Sequence, residues 1–173
     1  MNILKLGILW ACIGSGALLA CGGDDGKQNT GIPKGPDEAL NAKDCYLGLG
    51  VSGTAYSGYS CSGTTQSSSV SGLGPSSFDD VRMTVDISLN TPPAIGELDV
   101  ESLTFRTPTT GESWTASMGS CTAKAVKSAT DTDFGWVYYR IDIVCTAPAT
   151  PATGNPGEPL ELGQFSIVTF FTS

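Results

Sequence analysis

In the nine residues "VRMTVDISL" every second side chain is apolar. Val81, Met83, Val85, Ile87 and Leu89 fall on one face, and Arg82, Thr84, Asp86 and Ser88 on the other. Successive side chains of a strand point to opposite sides, so this pattern predicts a strand with one buried and one wet face. On a helix the same five apolar groups would be scattered around the axis. A second run, "GWVYYRIDIVC", puts Val137, Tyr139, Ile141, Ile143 and Cys145 on one face and the mixed set Trp136, Tyr138, Arg140, Asp142 and Val144 on the other. Period two thus dominates from Cys45 onward, and no amphipathic helix of ten residues competes with it.

Two segments alternate but change phase. In "ELDVESLTFRT" the apolar set moves from Leu98 and Val100 to Leu103 and Phe105, which predicts a bulge or turn near Glu101. In "SWTASMGSCTAKAV" it moves from Trp114, Ala116 and Met118 to Cys121, Ala123 and Ala125, with Gly119 placed for a bulge at the slip. The closing "FSIVTFF" is apolar on both faces and predicts a strand covered on both sides. Strands this short, punctuated by glycine, proline and hydroxyl residues, predict an all-β fold: an antiparallel β-sandwich or jelly roll.

The N-terminus has a different character. Lys5 precedes an apolar run from Leu6 to Ala20, which as a helix would reach about 22 Å, short of a hydrocarbon core of about 30 Å. A positive start, a short apolar run and small residues at its end are the parts of an export signal. The residues Leu18-Leu19-Ala20-Cys21 resemble the lipobox of bacterial lipoprotein precursors. That resemblance implies cleavage before Cys21, a diacylglycerol on its thiol and a further acyl chain on its amino group. One chain holds weakly and two or three hold stably, because each buried methylene contributes about 0.8 kcal/mol. Gly22, where an aspartate would retain such a protein in the inner membrane, implies the outer membrane. The expected organisation is a signal peptide at 1–20, a flexible tether at 21–43 rich in glycine, proline and charge, and a β-sandwich at 44–173. Within the tether, "DEALNAK" has the makings of a helical turn or two, with Asp37 as its cap.

With Cys12 lost and Cys21 acylated, Cys45, Cys61, Cys121 and Cys145 remain. Four thiols in an oxidising compartment predict two disulfides. If Cys121 faces Cys145 across a hairpin, Ala123 meets Ile143, Ala125 meets Ile141, and the turn centres on Asp133. If Cys45 faces Cys61, the turn centres on Gly53, with Leu47 opposite Tyr59 and Val51 opposite Ala55. Both midpoints land on turn-forming residues, which favours the pairs Cys45–Cys61 and Cys121–Cys145.

What the chain lacks excludes much chemistry. There is no histidine, so Ser-His-Asp triads, Cys-His pairs and histidine-ligated metals are absent, and disulfide formation would withdraw the thiols. Removing Lys5 with the signal leaves 8 basic against 17 acidic residues, a net charge of −9. That surface repels nucleic acid and anionic headgroups. The carboxylate sets Asp79-Asp80, Asp99 with Glu101, Asp131 with Asp133, and Glu158 with Glu161 are the remaining sources of an acid and a base, but like charges so close are the ordinary mark of a solvated face. "DTDFG" offers two oxygen ligands for calcium without the further ligands of a complete loop, and turn-forming aspartates account for it better. No catalytic residue, metal ligand or cofactor site is assigned.

Trp114, Trp136, Tyr138, Tyr56 and Tyr59 remain as a possible stacking platform for sugar rings, with Trp136 and Tyr138 foremost because they lie on the less apolar face of their strand. The order "CYLGLGVSGTAYSGYSCSG", "SWTASMGSC", "YYRIDIVC" and "GEPLELGQFSIVTFF" resembles small bacterial lipoproteins with a disulfide-stapled β-sandwich, which implies a fold and no mechanism. The expected function is a membrane-anchored, non-catalytic binding or structural module of the cell envelope, whose partners are the membrane through the lipid anchor and an envelope protein or glycan. Carbohydrate or peptidoglycan binding and a carboxylate-dependent glycosidase are the alternatives.

Overall fold

The alternating segments fold as antiparallel strands that pair into two stacked layers. The computed structural model describes residues 35–51, 54–74, 82–154 and 157–173. They form a helix, α1 (Pro36–Ala42), and eleven strands: β1 (Tyr46–Val51), β2 (Thr54–Gly63), β3 (Ser67–Leu73), β4 (Arg82–Leu89), β5 (Gly96–Leu98), β6 (Val100–Thr107), β7 (Glu112–Thr115), β8 (Cys121–Asp131), β9 (Trp136–Cys145), β10 (Thr150–Pro151) and β11 (Gln164–Thr172). Hydrogen bonding runs in the order β10-β7-β6-β4-β3-β2-β1-β11-β9-β8-β5. The expected antiparallel sandwich is therefore the fold.

Two segments turn the corner between layers. Strand β1 pairs with β11 through Tyr46, Leu47 and Gly48, then with β2 through Leu49, Gly50 and Val51. At the opposite side β5 pairs with β8, and after Asp99 the chain continues as β6 on β4. Ser88 faces Ser102 while Leu89 faces Val100, so Glu101 is the extra residue of a bulge, where the phase slip placed one. The slip at Gly119 has a different cause. Gly119 (φ 78°) lies in the turn that takes the chain from β7 in one layer to β8 in the other, a left-handed backbone that glycine adopts without strain. The bulge comes later: Ala125 faces Ile141 but Lys127 faces Arg140, leaving Val126 unpaired.

The cysteine pairs lie at disulfide distance as expected, with Cα atoms 5.6 Å apart for Cys45 and Cys61 and 4.0 Å for Cys121 and Cys145. Around the second pair the expected register holds through Ala123↔Ile143 and Ala125↔Ile141 before the bulge shifts it by one residue. The first hairpin departs from expectation. Val51 faces Thr54 rather than Ala55, and Leu47 faces Ile167 of β11 rather than Tyr59, because β1 has left β2 by that point to complete the other layer.

The inward faces meet as one core that includes Leu47, Val70, Met83, Val85, Ile87, Phe105, Ile141, Ile143, Ile167 and Phe171. Burial of such side chains contributes roughly 1.5–3 kcal/mol each before chain entropy is set against it. Strand β11 is covered on both sides, as its composition requires. Phe165, Ile167 and Phe171 enter the main core, while Val168 and Phe170 join a second cluster with Ala39, Leu40 and Tyr138. Gly63 is small for a reason here: a Cβ on it would collide with the carbonyl oxygen of Phe170.

The second cluster corrects the reading of the tether. Residues 36–42 form α1, and its Leu40 and Ala39 are buried against β9 and β11, so the folded unit begins ahead of residue 44. Nor is Asp37 the cap. Gly35 occupies the N-cap, Pro36 takes the first helical position, and Lys43 closes the helix in the left-handed region with its N–H directed to the carbonyls of Ala39 and Leu40. A helix of seven residues is marginal alone; two buried side chains and a set of ion pairs hold this one.

Candidate functional site

The outer surface of the β11-β9-β8 layer carries the most organised side chains. Asp37, projecting from α1, lies 2.8 Å from the Arg140 guanidinium and 3.0 Å from the Lys127 ammonium. Arg140 also reaches Asp142 at 3.1 Å, and Asp142 accepts a hydrogen bond from Ser166 at 2.7 Å. At the far end of the helix Lys43 lies 3.6 Å from Asp131. The Lys127 and Arg140 bonds hold the Asp37 carboxyl below its ordinary range, and Asp37 in turn drives Arg140 further up. Together these charges form a latch that fixes α1 across β8 and β9. Each of the three carboxylates, Asp37, Asp142 and Asp131, faces a cation within this set.

Beneath the helix the aromatic residues stack on one another. Trp136 lies against Phe170 with centroids 4.3 Å apart and planes 9° from parallel, and against Phe134 at 4.7 Å and 23°. Tyr138 tilts onto Phe170 at 5.5 Å and is buried; its phenol is pushed up by burial first and then by the charges of Asp131 and Asp44. Trp136 is thus half-buried and in contact with two other rings, and Tyr138 is buried in one cluster with Ala39 and Leu40 of α1. Among the described residues, Phe134 in the turn of the β8–β9 hairpin does present its ring to solvent and is 66% exposed. That turn was read from sequence for its aspartates, and an aromatic residue between an aspartate and a glycine was the available signal for Phe134.

The other candidate residues are dispersed. Trp114 is buried and donates through Nε1 to the Glu158 carbonyl at 2.8 Å. Asp131 accepts the Asp133 backbone N–H at 3.1 Å, a turn-stabilising role, and among the described residues no group of three potential metal ligands occurs. Asp99 accepts from Asn90 Nδ2 at 2.9 Å, and the bulge at Glu101 removes the register that would have set those two carboxylates on one face. Glu158 and Glu161 are exposed. Cys21, Asp79 and Asp80, and the side chains of Tyr56 and Tyr59, lie outside the described residues.

On the opposite layer a cleft of about 530 Å³ opens where β10 parts from β7. The two strands pair at Thr150↔Thr115 and Pro151↔Trp114, and Ala152 still donates to the Ser113 carbonyl at 2.9 Å. Beyond that point residues 152–154 and residues 110–113 line the cleft. Glu112 is the one carboxylate among the cleft's lining residues, and it accepts a hydrogen bond from Thr110 Oγ1 at 2.8 Å.

No protein-family model, curated protein or solved structure matches the chain.

Proposed function

We propose that the chain is a lipid-anchored protein of the bacterial outer membrane, attached through Cys21, whose β-sandwich is a non-catalytic binding or structural module. The observation that carries this reading is the box Leu18-Leu19-Ala20-Cys21 at the end of an apolar run too short to span a bilayer. Two further features support it. The remaining exported cysteines pair evenly, Cys45 near Cys61 and Cys121 near Cys145, as suits an oxidising compartment. Among the candidate carboxylates that the structure describes, Asp131 faces Lys43, Asp99 accepts from Asn90, and Glu158 and Glu161 are exposed. An anchored display module needs no reacting groups, and its acidic surface discourages adsorption to anionic headgroups.

The test is mass spectrometry of the mature protein from membranes after labelling with a palmitate analogue. An N-terminal peptide beginning at acylated Cys21 is expected, and Cys21→Ser should release the labelled protein from the membrane fraction or leave the precursor uncleaved. An unmodified Cys21 in a protein that retains Met1 would refute the anchor.

A further inference from the structure

We propose that the cleft between β7 and β10, with the hydroxyl-lined face that its Ser113 shares with Thr115, binds an uncharged polyhydroxylated ligand, a neutral glycan chain. This inference rests on the reading of the domain as a binding module and names its ligand class. The cleft is lined by Thr110, Glu112, Ser113 and Thr153, together with Gly111, Ala152 and Gly154. Its volume of about 530 Å³ lies in the range of about 300–1,000 Å³ usual for small-molecule sites. Every side-chain group there that can make a hydrogen bond is a hydroxyl or the Glu112 carboxylate. One Glu112 oxygen is already oriented by Thr110, which leaves the carboxylate fixed and able to accept from a ligand hydroxyl.

Ser113, which lines the cleft, lies two residues from Thr115 on β7 and so shares its face. Register places Ser62, Ser69, Asp86, Thr104, Thr115 and Thr150 side by side across six neighbouring strands. Adjacent strands lie about 4.8 Å apart, so the row offers a polar group at each such step. The groups are held in place by one another. Ser69 donates to Asp86 at 2.6 Å, Arg106 donates to both Asp86 oxygens at 2.7 and 3.0 Å, and Thr150 Oγ1 donates to the Thr115 carbonyl at 3.3 Å. Asp86 and Arg106 form an ion pair, so the row itself is polar without an unbalanced charge.

Those properties select among partners. Ile95, Met118, Phe134 and Val144, the exposed large apolar side chains among the described residues, lie on other segments, so the row lacks the buried aromatic or aliphatic anchor that dominates protein–protein contacts. A net charge of −8 for the whole chain opposes phosphate-bearing ligands. Directional hydrogen bonding to hydroxyl and amide groups remains, and that is what a neutral saccharide chain offers. The exposed Phe134 is the rival location for sugar binding, on the other layer, and the experiment separates the two.

The full-length lipoprotein, purified in a detergent without a sugar headgroup, is titrated calorimetrically with chito-oligosaccharide and with cello-oligosaccharide. Saturable binding of at least one is expected. Loss of one charge-assisted hydrogen bond weakens an affinity by about tenfold or more, so Glu112→Ala should reduce it by about that factor. The double variant Thr115→Val with Thr150→Val, which exchanges hydroxyls for methyls at constant shape, should weaken binding as well, and Phe134→Ala should not. Absence of binding to both saccharides, by protein whose melting is normal, would overturn the proposal. So would binding abolished by Phe134→Ala and intact in the other two variants. Neither outcome bears on Cys21 acylation, which is read separately by mass spectrometry.

Discussion

Separating the two cysteine pairs by mutation tests both the fold and the division of labour within it. The closed loops have sequence separations of 16 and 24 residues, and the chain-entropy model assigns them about 3.1 and about 3.4 kcal/mol. For a domain of this size each kcal/mol displaces the thermal midpoint by about 3 °C, so removing either bond should lower it by about 10 °C. Reducing both removes about 6.5 kcal/mol, comparable with the whole stability of many domains. The structure predicts different local consequences for nearly equal global costs. Cys121 and Cys145 sit at one end of a β8–β9 ladder that continues to Asp131↔Trp136, so the hairpin has its own pairing to hold it. Cys45 and Cys61 bridge the place where β1 has left β2 for β11, and Cys61 packs against both hydrophobic clusters. Hydrogen exchange on Cys45→Ala with Cys61→Ala should therefore show lost protection in β1 and β2, whereas Cys121→Ala with Cys145→Ala should leave β9 protected. A midpoint in dithiothreitol within about 3 °C of the oxidised value would refute the entropic account, and equal loss of protection in both double variants would refute the assignment of the β1 corner to Cys45–Cys61.

Other perturbations address α1 and the aromatic stack. Leu40→Ala should cost about 2 kcal/mol in urea denaturation, the low end for a buried leucine because a single short helix covers it; no measurable change would mean that α1 is not docked. Asp37 is held below its ordinary value of 3.8 by Lys127 and Arg140. Its contribution is therefore present above that value and fades as the pH falls through the lower folded-state value, so wild-type stability should decline on acidification in a way that Asp37→Asn does not; parallel curves for the two proteins would contradict the latch. Phe134→Ala should change stability by less than about 1 kcal/mol while altering Trp136 emission, since the exposed ring lies 4.7 Å from the indole; an unchanged spectrum would argue against the stack.

Much of the layer structure was legible because alternation reports a strand's two environments directly. Met83, Val85, Ile87 and Leu89 are buried as the pattern of "VRMTVDISL" requires, and Ile141, Ile143 and Cys145 likewise in β9. Burial of Thr84 on the other face was not legible, nor was its contact with the Ser71 hydroxyl 2.9 Å away on the neighbouring strand, because both depend on segments brought together by the fold. A phase slip was readable as a break, yet its nature was not. At Glu101 it is a bulge and at Gly119 a passage between layers, and the difference lies in which strand each half meets. The aromatic residues of β9 were recognisable as candidates, but a ring's exposure depends on its neighbours in space. Phe170 is 34 residues from Trp136 in the chain and stacks on it.

By itself the sequence determined the strand periodicity, the favoured pairing of four cysteines, the absence of histidine chemistry and the expectation of an acylated Cys21, because each of these is a property of residue type or of spacing along the chain. Tertiary structure alone decided that β1 serves both layers, that α1 packs with Tyr138, that Phe134 is exposed while Tyr138 is buried, and that a cleft lies at the end of the β7–β10 pairing. Those outcomes depend on contacts between distant segments, and short-range patterns carry no information about which distant partner wins.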